Sequence, residues 1–248
     1  MKKNIWSQRV KLGLVLVFLS AIFYGLHYML FRDVHHIFIY FVGDVAFVFI
    51  EVLLVTLIIH QVLSDREKRT MLKKLHMVIG AFFSEVGISL LKYFRDFDQN
   101  SKKISRHLLV ANEWSQEHFG QMQKVLQNHD SKVNPRAGDL EGLKKFMAEK
   151  RSFLLRLLEN PNLLEHESFT ELLWAVFHLG EELSHRVQIS KLPDTDYAHL
   201  AGDIKRAYKL LVREWLSHME HLKNEYPYLF SLAVRTNPFD PDASVEVG

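Results

Sequence analysis

The amino-acid sequence predicts an all-α protein in which a two-helix transmembrane hairpin is followed by a cytoplasmic helical bundle. Three observations predict this architecture. Two long apolar segments lie within the first 60 of the 248 residues, and only five residues separate them. Beyond residue 60 the apolar residues recur at helical spacing. That part of the sequence never alternates polar and apolar residues for long enough to indicate a strand.

The first apolar segment covers residues 12–31 without a charged side chain, and the second covers residues 37–59. A helix needs about 20 residues to cross the hydrocarbon core of a bilayer. Both segments meet that length, and the short connection requires an antiparallel hairpin over residues 12–60. A cleaved signal peptide is the alternative for the first segment. It fits poorly, because the apolar run exceeds the usual length of about 7–15 residues and no small-x-small cleavage site follows.

Basic residues flank the outer ends of this hairpin, whereas the connection holds a single arginine. Cytoplasmic flanks of membrane spans carry an excess of Lys and Arg. We therefore expect both termini in the cytoplasm, with the lipid bilayer of the inner (plasma) membrane around the hairpin. The flanking basic residues are Lys2, Lys3, Arg9 and Lys11 before the first span, and Arg66, Lys68, Arg69, Lys73 and Lys74 after the second.

Four polar side chains within the spans are candidates for an intramembrane site: Tyr24, His27, Asp44 and Glu51. The two acids are seven residues apart and share a helix face. An acid near the centre of a span costs about 2.5–3.5 kcal/mol, so a position inside a helix cluster or an interface is expected. In one interpretation Tyr24 and His27 form hydrogen bonds to the carboxylate of Asp44 inside the hairpin, and Glu51 is protonated or hydrogen-bonded across subunits. In the other, the acids line a path for cations or protons.

The rest of the chain is predicted to be helical throughout. After an N-terminal segment (1–11) and the hairpin, we expect a stalk or core helix (61–98), a bundle (99–230) and a C-terminal tail (231–248). The helices are predicted at about 62–97, 101–129, 138–158, 162–190 and 195–225, with a short helix after Pro227. The predicted core stripes are Ile104, Leu108, Ala111, Met122 and Leu126; then Phe169, Leu172, Val176, Leu183 and Val187; then Leu200, Ile204, Tyr208, Leu211, Trp215 and Leu222.

Residues 77–91 (MVIGAFFSEVGISLL) are apolar almost all round. They are too few for a membrane span and contain Glu85, so buried core or a subunit interface is predicted. A short membrane segment is the alternative. Gly80, Ser84 and Gly87 fall on one side of this helix and would permit close approach of another helix.

Fourteen histidines raise the question of a metal site. His178, Glu182 and His185 recur one helical turn apart, but a di-iron bundle needs two Glu-x-x-His motifs and only one is clear. These three side chains are also predicted to point away from the core. No cofactor is therefore predicted, and a metal at this trio stays a hypothesis. A similar spacing relates Glu214, His218, His221 and Glu225, and His218 and His118 fall on core faces, where a hydrogen-bonded structural histidine is expected.

Composition excludes several classes of protein. Residues 61–248 contain 26 basic and 26 acidic residues, which argues against a nucleic-acid partner. The absence of cysteine excludes disulfides, thiolate metal sites and cysteine nucleophiles. The sequence contains no Gly-rich phosphate loop, no Gly-x-Ser-x-Gly elbow and no His-Glu-x-x-His motif, so no enzymatic activity is predicted.

Three stretches carry a family resemblance: FRDVHHIFIYFVGDVAFVFIEVLLVTLIIH (31–60), MVIGAFFSEVG (77–87) and HLKNEYPYLFSLAVRTNPF (221–239). With these stretches the chain resembles a group of uncharacterised bacterial two-span inner-membrane proteins with a helical cytoplasmic domain. The resemblance implies the membrane topology and a prokaryotic source. It implies no activity and no binding residues.

Two functions are compatible with these patterns. In the first, the protein is a membrane-anchored sensor or scaffold whose cytoplasmic bundle mediates assembly or binds a cytoplasmic protein partner. In the second, it is a small oligomeric cation channel in which Asp44 and Glu51 form acidic rings. A homo-oligomer is expected in both cases, because one hairpin cannot easily shield both acids from lipid.

Overall fold

The computed structural model describes residues 2–161, 163 and 166–246, and the side chains of all of these except residues 2–9, 67 and 69. Within these ranges the regular structure is helical, apart from an isolated bridge between Asp98 and Val133. The predicted all-α class is therefore confirmed. The chain divides into two compact units, Met1–Lys68 and Arg69–Gly248.

Helix α1 (Lys2–Phe31) and the first part of α2 (Val34–Phe82) form the first unit. The two residues that connect them end one helix and begin the next. Arg32 adopts a φ of +50°, and its N–H donates to the carbonyl four residues earlier at 2.9 Å. Oδ1 of Asp33 accepts hydrogen bonds from the backbone N–H groups two and three residues later, at 2.9 and 3.2 Å. This cap starts α2 at Val34, so the connection is shorter than the five residues predicted.

Two helical segments, Val10–Phe31 and Val34–Phe97, are long and apolar enough to cross a membrane by length and composition. Their most apolar windows have mean hydropathies of 2.1 and 2.5, and no part of either window is buried inside the protein. The predicted spans 12–31 and 37–59 lie within these segments. A helix that is apolar on all sides is stable when a protein core or a bilayer surrounds it.

The second unit is built around α8, which packs against α3, α5, α7, α9 and the π-helical turn. Helix α7, which packs against α8, also packs against α6. The elements that follow α2 are a π-helical turn (Phe83–Gly87), α3 (Ile88–Phe97), α4 (Ser101–His107), α5 (Gln116–Gln127), α6 (Leu140–Leu158), α7 (Glu167–Ser184), a 3₁₀ turn (Ile189–Lys191), α8 (Asp194–Glu225) and α9 (Pro227–Arg235).

The hydrophobic core follows the predicted stripes where the helices are long. All six apolar residues predicted for the core face of the 195–225 helix are buried in α8. The segment 77–91 supplies buried side chains that include Phe82, Val86 and Leu90, which confirms its assignment to the core. In the fourth predicted helix, the residues of the predicted core stripe are buried as far as Leu183. Val187 is 87% exposed, because α7 ends at Ser184.

The predicted helix over 101–129 is wrong, because the chain leaves helical geometry between α4 and α5. Ser115 begins α5 with a capping box: its Oγ accepts from the backbone N–H of His118, and Nδ1 of His118 accepts from the backbone N–H of Ser115 at 3.2 Å. The prediction that His118 faces the core is wrong for the same reason. The break changes the phase of the second helix, and His118 becomes an exposed cap.

The chain beyond α9 docks on the core of the second unit. Asn237 is buried: its Nδ2 donates to the carbonyl of Leu108 at 2.7 Å, and its Oδ1 accepts from the N–H of Phe239 at 2.9 Å. The ring of Phe239 lies 5.0 Å from that of Trp215. Part of the segment predicted as a tail therefore belongs to the packed unit.

Candidate functional site

A largely apolar cavity of about 500 Å³ opens between the C-terminal part of α2, the π-helical turn, α8 and α9. Small-molecule sites in proteins usually occupy about 300–1,000 Å³ and combine apolar walls with a few polar groups. Three histidines, His76, His218 and His221, contribute polar groups to its lining. The apolar walls include Met77, Phe83, Ile88, Met219, Leu222 and Leu232.

Aromatic stacking holds these three imidazole rings in place. The rings of His76 and His221 lie 3.5 Å apart between centroids and are inclined by only 8°. His218 stacks on Phe83 with centroids 5.0 Å apart. His221 also meets the edge of the ring of Tyr226, at 5.8 Å. The three rings are therefore presented by two helices at fixed positions along one cavity.

One nitrogen of each imidazole is buried and lacks a hydrogen-bond partner among the described residues: Nδ1 of His76, Nδ1 of His218 and Nε2 of His221. The hydrogen-bonded structural role expected for His218 is thus not found at its Nδ1. Burial lowers the pKa of His218 to about 4. Burial, with the neighbouring His221, lowers the pKa of His76 to about 4, and burial also lowers the pKa of His221. At neutral pH the rings of His76 and His218 are uncharged, and the lowered pKa of His221 favours its uncharged form.

The small residues that the sequence singled out lie near the end of α2 and in the π-helical turn. Gly80 and Ser84 line the cavity, and a Cβ at Gly80 would lie 3.7 Å from Cε1 of His218. Gly87 is buried, and a Cβ there would lie 2.5 Å from Cδ1 of Phe83. The side chains close to Gly87 are Phe82 and Phe83 of its own helical segment, so the predicted approach of another helix at Gly80, Ser84 and Gly87 stays a prediction, while Gly80 and Ser84 line the cavity. π-Helical turns occur often at functional sites.

A second, smaller cavity of about 180 Å³, lined largely by polar residues, lies beside His76 and His218. His76 and His218 contribute to both spaces, and the smaller cavity adds His166, Ser168 and the buried Glu214. The sequence pattern pointed to Glu214, His218 and His221 together but missed His76. The missed signal is that His76 precedes Gly80 by four residues and so shares its helix face.

The predicted metal trio is not assembled as proposed. Nε2 of His178 lies 3.8 Å from Oε1 of Glu182. The ring of His185 turns away, and its Nδ1 donates to the carbonyl of Glu181 at 2.7 Å. His185 follows the last residue of α7, so it bonds the free carbonyls at the helix end.

Helix α8 adds other groups beside His178 and Glu182. Nε2 of His199 lies 3.6 Å from Glu182 and 3.3 Å from Asp203. Both carboxylates also face arginines: Arg186 donates to Glu182 at 2.7 Å, and a second guanidinium lies 3.4 Å from Asp203. Across the part of the chain that the structure describes, no group of three or more His, Asp or Glu is arranged to hold a metal ion. These residues form a charge network instead.

The four intramembrane candidates lie on the helices of the first unit. Asp44 and Glu51 are exposed on α2, and Tyr24 is 39% exposed on α1. The ring of His27 contacts the rings of Phe31 and His36, with centroids 4.8 and 5.8 Å apart. Among the described residues, no hydrogen bond or ion pair joins Asp44 to Tyr24 or His27.

Comparisons with known proteins agree with the division into two helical units. A family model described as the N-terminal helical domain of MJ1433 matches residues 2–63, and one described as the C-terminal helical domain of uncharacterised protein MJ1433 matches residues 71–235. The uncharacterised protein MJ1433 of Methanocaldococcus jannaschii is 48% identical over 229 residues, which cover 92% of each chain. No solved structure matches the chain. The two-span membrane topology and the bacterial grouping implied by the resemblance stay predictions. The chain belongs to the MJ1433 family of uncharacterised helical proteins.

Proposed function

We propose that this protein is a sensor or scaffold anchored in the inner membrane, with both termini in the cytoplasm, and that its helical domain binds an apolar ligand in the histidine-lined cavity. The observation that carries the proposal is the cavity itself: about 500 Å³, apolar walls, and three imidazoles whose buried nitrogens lack partners. Burying an unpaired polar nitrogen costs free energy. A ligand that supplies the missing hydrogen bonds would recover that cost.

The chemistry of the cavity restricts the ligand. Neutral imidazoles donate or accept one hydrogen bond at each nitrogen, so they suit a hydroxyl, carbonyl or protonated acid group. The apolar walls suit a hydrocarbon chain or ring. An anionic head group is disfavoured, because the described residues that line the cavity include no Lys or Arg. An uncharged apolar molecule with one hydroxyl or carbonyl group fits these conditions.

Photolabelling of the full chain in lipid nanodiscs tests this assignment. The probe is a long-chain alcohol that carries a diazirine on its hydrocarbon chain. After illumination, we expect labelled peptides from α8 and α9, identified by mass spectrometry. Labels confined to residues 10–63 would contradict the proposal, because they would report only lipid contact with the apolar helices.

A matched pair of glycine variants provides the control. Gly80→Leu places a side chain in the cavity beside His218, whereas Gly202→Leu lies on an open face of α8 with no heavy atom within 4 Å of its Cβ. Both changes add the same side chain to a helix. We expect labelling of α8 and α9 to fall at least about threefold in Gly80→Leu and to stay unchanged in Gly202→Leu. Equal labelling in the two variants would contradict a cavity site.

A second candidate function, cation conduction, rests on Asp44 and Glu51. Both carboxylates are exposed on an apolar helix and form no hydrogen bond or ion pair with the residues that the structure describes. In a bilayer, acids in this position need a polar environment, which copies of the same hairpin would supply in a homo-oligomer. In this alternative, the acids line a path between the copies.

Two measurements separate the candidates. A native mass spectrum of the full chain in detergent gives the number of copies, and conduction requires a ring of about four or more hairpins. The double variant Asp44→Asn/Glu51→Gln, reconstituted in liposomes, should then lose cation flux while it still assembles. If it assembles as wild type and flux is unchanged or absent in both, the hairpin is an anchor.

A further inference from the structure

A second cavity, of about 770 Å³, lies on a different part of the helical domain, between α3, α4 and residues 237–243. Buried Asn237 and Phe239, which dock the end of the chain on the core, are part of its lining. Its charge differs from that of the histidine-lined cavity. The cationic side chains that line it are Lys92, Arg95, Lys102 and Arg106.

The spacing of these cations directs them to the same cleft. Lys92 and Arg95 are three residues apart on α3, and Lys102 and Arg106 are four residues apart on α4. Residues at these separations are neighbours on a helix face. Four positive charges around one concave space create a local positive potential, although the domain as a whole is neutral.

Most of this charge is not neutralised within the protein. Nη1 of Arg95 donates to the carbonyl of Pro238 at 2.6 Å, and its Nε and Nη2 lie 3.1 Å from Asp96. Lys92, Lys102 and Arg106 form no hydrogen bond or ion pair with the described part of the chain. Among the described residues that line the cleft, the one acid is Asp240, which accepts a hydrogen bond from the backbone N–H two residues later at 2.9 Å. Three cations therefore remain available to a ligand.

We propose that this cleft binds a phosphate-bearing anion through Lys92, Lys102 and Arg106. Guanidinium and ammonium groups make their strongest hydrogen bonds to phosphate oxygens, and the arginine can do so with two parallel N–H groups. The hydroxyls of Ser101 and Ser105 line the same space and supply further donors. The proposal is independent of the apolar cavity and of its ligand.

Binding of inorganic pyrophosphate to the full chain in uncharged detergent micelles tests this site by isothermal titration calorimetry. The test variant is Lys102→Gln/Arg106→Gln, and its match is Lys103→Gln/Lys124→Gln, which removes the same charge from exposed positions outside the cleft. We expect affinity to fall at least about tenfold in the cleft variant and less than about twofold in its match.

A parallel arm distinguishes a lipid head group from a soluble phosphate compound. The full chain and both variants are placed in phosphatidylcholine nanodiscs with and without phosphatidate, and native mass spectrometry counts the phosphatidate molecules that each retains. Cleft-dependent retention identifies the lipid as the source, whereas cleft-dependent binding of pyrophosphate alone identifies a soluble compound. Binding in neither arm, or an equal loss in both variants, overturns the proposal.

Folding of the variants is checked by circular dichroism. The cleft side chains at 102 and 106 are exposed, so their replacement should leave the helical signal unchanged. If the double variant nevertheless unfolds, Lys92→Gln on α3 replaces it, with Lys209→Gln as its match. The same tenfold and twofold limits then decide the outcome.

Discussion

The imidazole rings of His76 and His221 stack face to face, 3.5 Å between centroids, although α2 and α8 supply one ring each. Two protonated imidazoles at this separation would repel each other strongly. The folded pair therefore disfavours double protonation, and burial lowers the pKa of both rings. Together with His218, the pair makes the stability of the helical domain sensitive to pH.

Acidification should destabilise the domain through these histidines. The pKa of His218 falls from 6.5 to about 4 on folding, so the unfolded state binds more protons between these two values. Stability is therefore full above about pH 6.5 and is lost as the pH falls toward 4, by roughly 3 kcal/mol for the buried His218. Thermal unfolding of the full chain in detergent, followed by tryptophan fluorescence from pH 7.5 to 4.5, measures this loss.

Replacement of His218 isolates its share of the pH effect. His218→Phe keeps a ring stacked on Phe83 and removes the titrating group, so its Tm should fall less on acidification than that of wild type. His107→Gln removes an exposed histidine and should behave as wild type. If the Tm of His218→Phe falls as steeply as that of wild type, protonation of this residue does not drive the transition.

Asp98 should be a strong determinant of stability. Its carboxylate is buried and accepts backbone hydrogen bonds from Asn100 at 3.0 Å and Lys132 at 2.9 Å. Asp98→Ala leaves both N–H groups without this partner, which should lower the free energy of unfolding by about 2–3 kcal/mol. Asp96→Ala, at an exposed neighbour that pairs with Arg95, should change it by less than about 0.5 kcal/mol. Chemical denaturation in detergent compares the two, and similar losses would contradict this role.

Two glycines of the same segment should respond differently to alanine. Gly87→Ala places a Cβ 2.5 Å from the buried ring of Phe83 and should destabilise the domain by about 1–3 kcal/mol. Gly80→Ala meets only an ordinary contact, 3.7 Å from His218, and should be neutral or stabilise the helix by up to about 1 kcal/mol. The Tm values of the two variants test this difference. A fall in Gly80→Ala as large as that in Gly87→Ala would show that the cavity does not accommodate a methyl group.

Membrane topology can be read from single cysteines, because the sequence contains none. Under the proposed orientation, a membrane-impermeant maleimide should label Val34→Cys in intact spheroplasts. It should label Asn4→Cys and Ser244→Cys only after permeabilisation. Val34 is half exposed at the start of α2, so its reactivity depends on the side of the membrane and not on burial. Labelling of Ser244→Cys in intact spheroplasts would reject the proposed orientation.

The parts of the fold that sequence reasoning predicted correctly depend on local periodicity. The stripe from Leu200 to Leu222 recurs at helical spacing over a long segment, so its buried face follows from the sequence alone. The predicted helix boundaries were wrong where a polar side chain caps the start of a helix. Ser115 and His118 form a cap that interrupts an otherwise helical pattern, and Asp33 starts α2 earlier than its hydrophobicity indicates.

Residues distant in sequence decided the candidate sites. His178 and His185 looked equivalent on a helical wheel, but the end of α7 turns His185 toward its own helix carbonyl. In the sequence, the spacing of His76 from Gly80 was the one indication that His76 belongs to the cavity. Its stacking partner His221 lies on another helix, so no local pattern links the two residues. The basic cleft likewise needs the end of the chain to dock beside α3 and α4.

The sequence by itself determined the helical class, the two apolar segments and the core face of α8, because hydrophobic burial acts on patterns that repeat along one element. Only the tertiary structure decided which polar groups share a cavity. That outcome depends on how α2, α8 and α9 pack, and on hydrogen bonds such as that from Asn237 to the carbonyl of Leu108. Such contacts join residues that are far apart along the chain, and no repeating pattern in the sequence marks them.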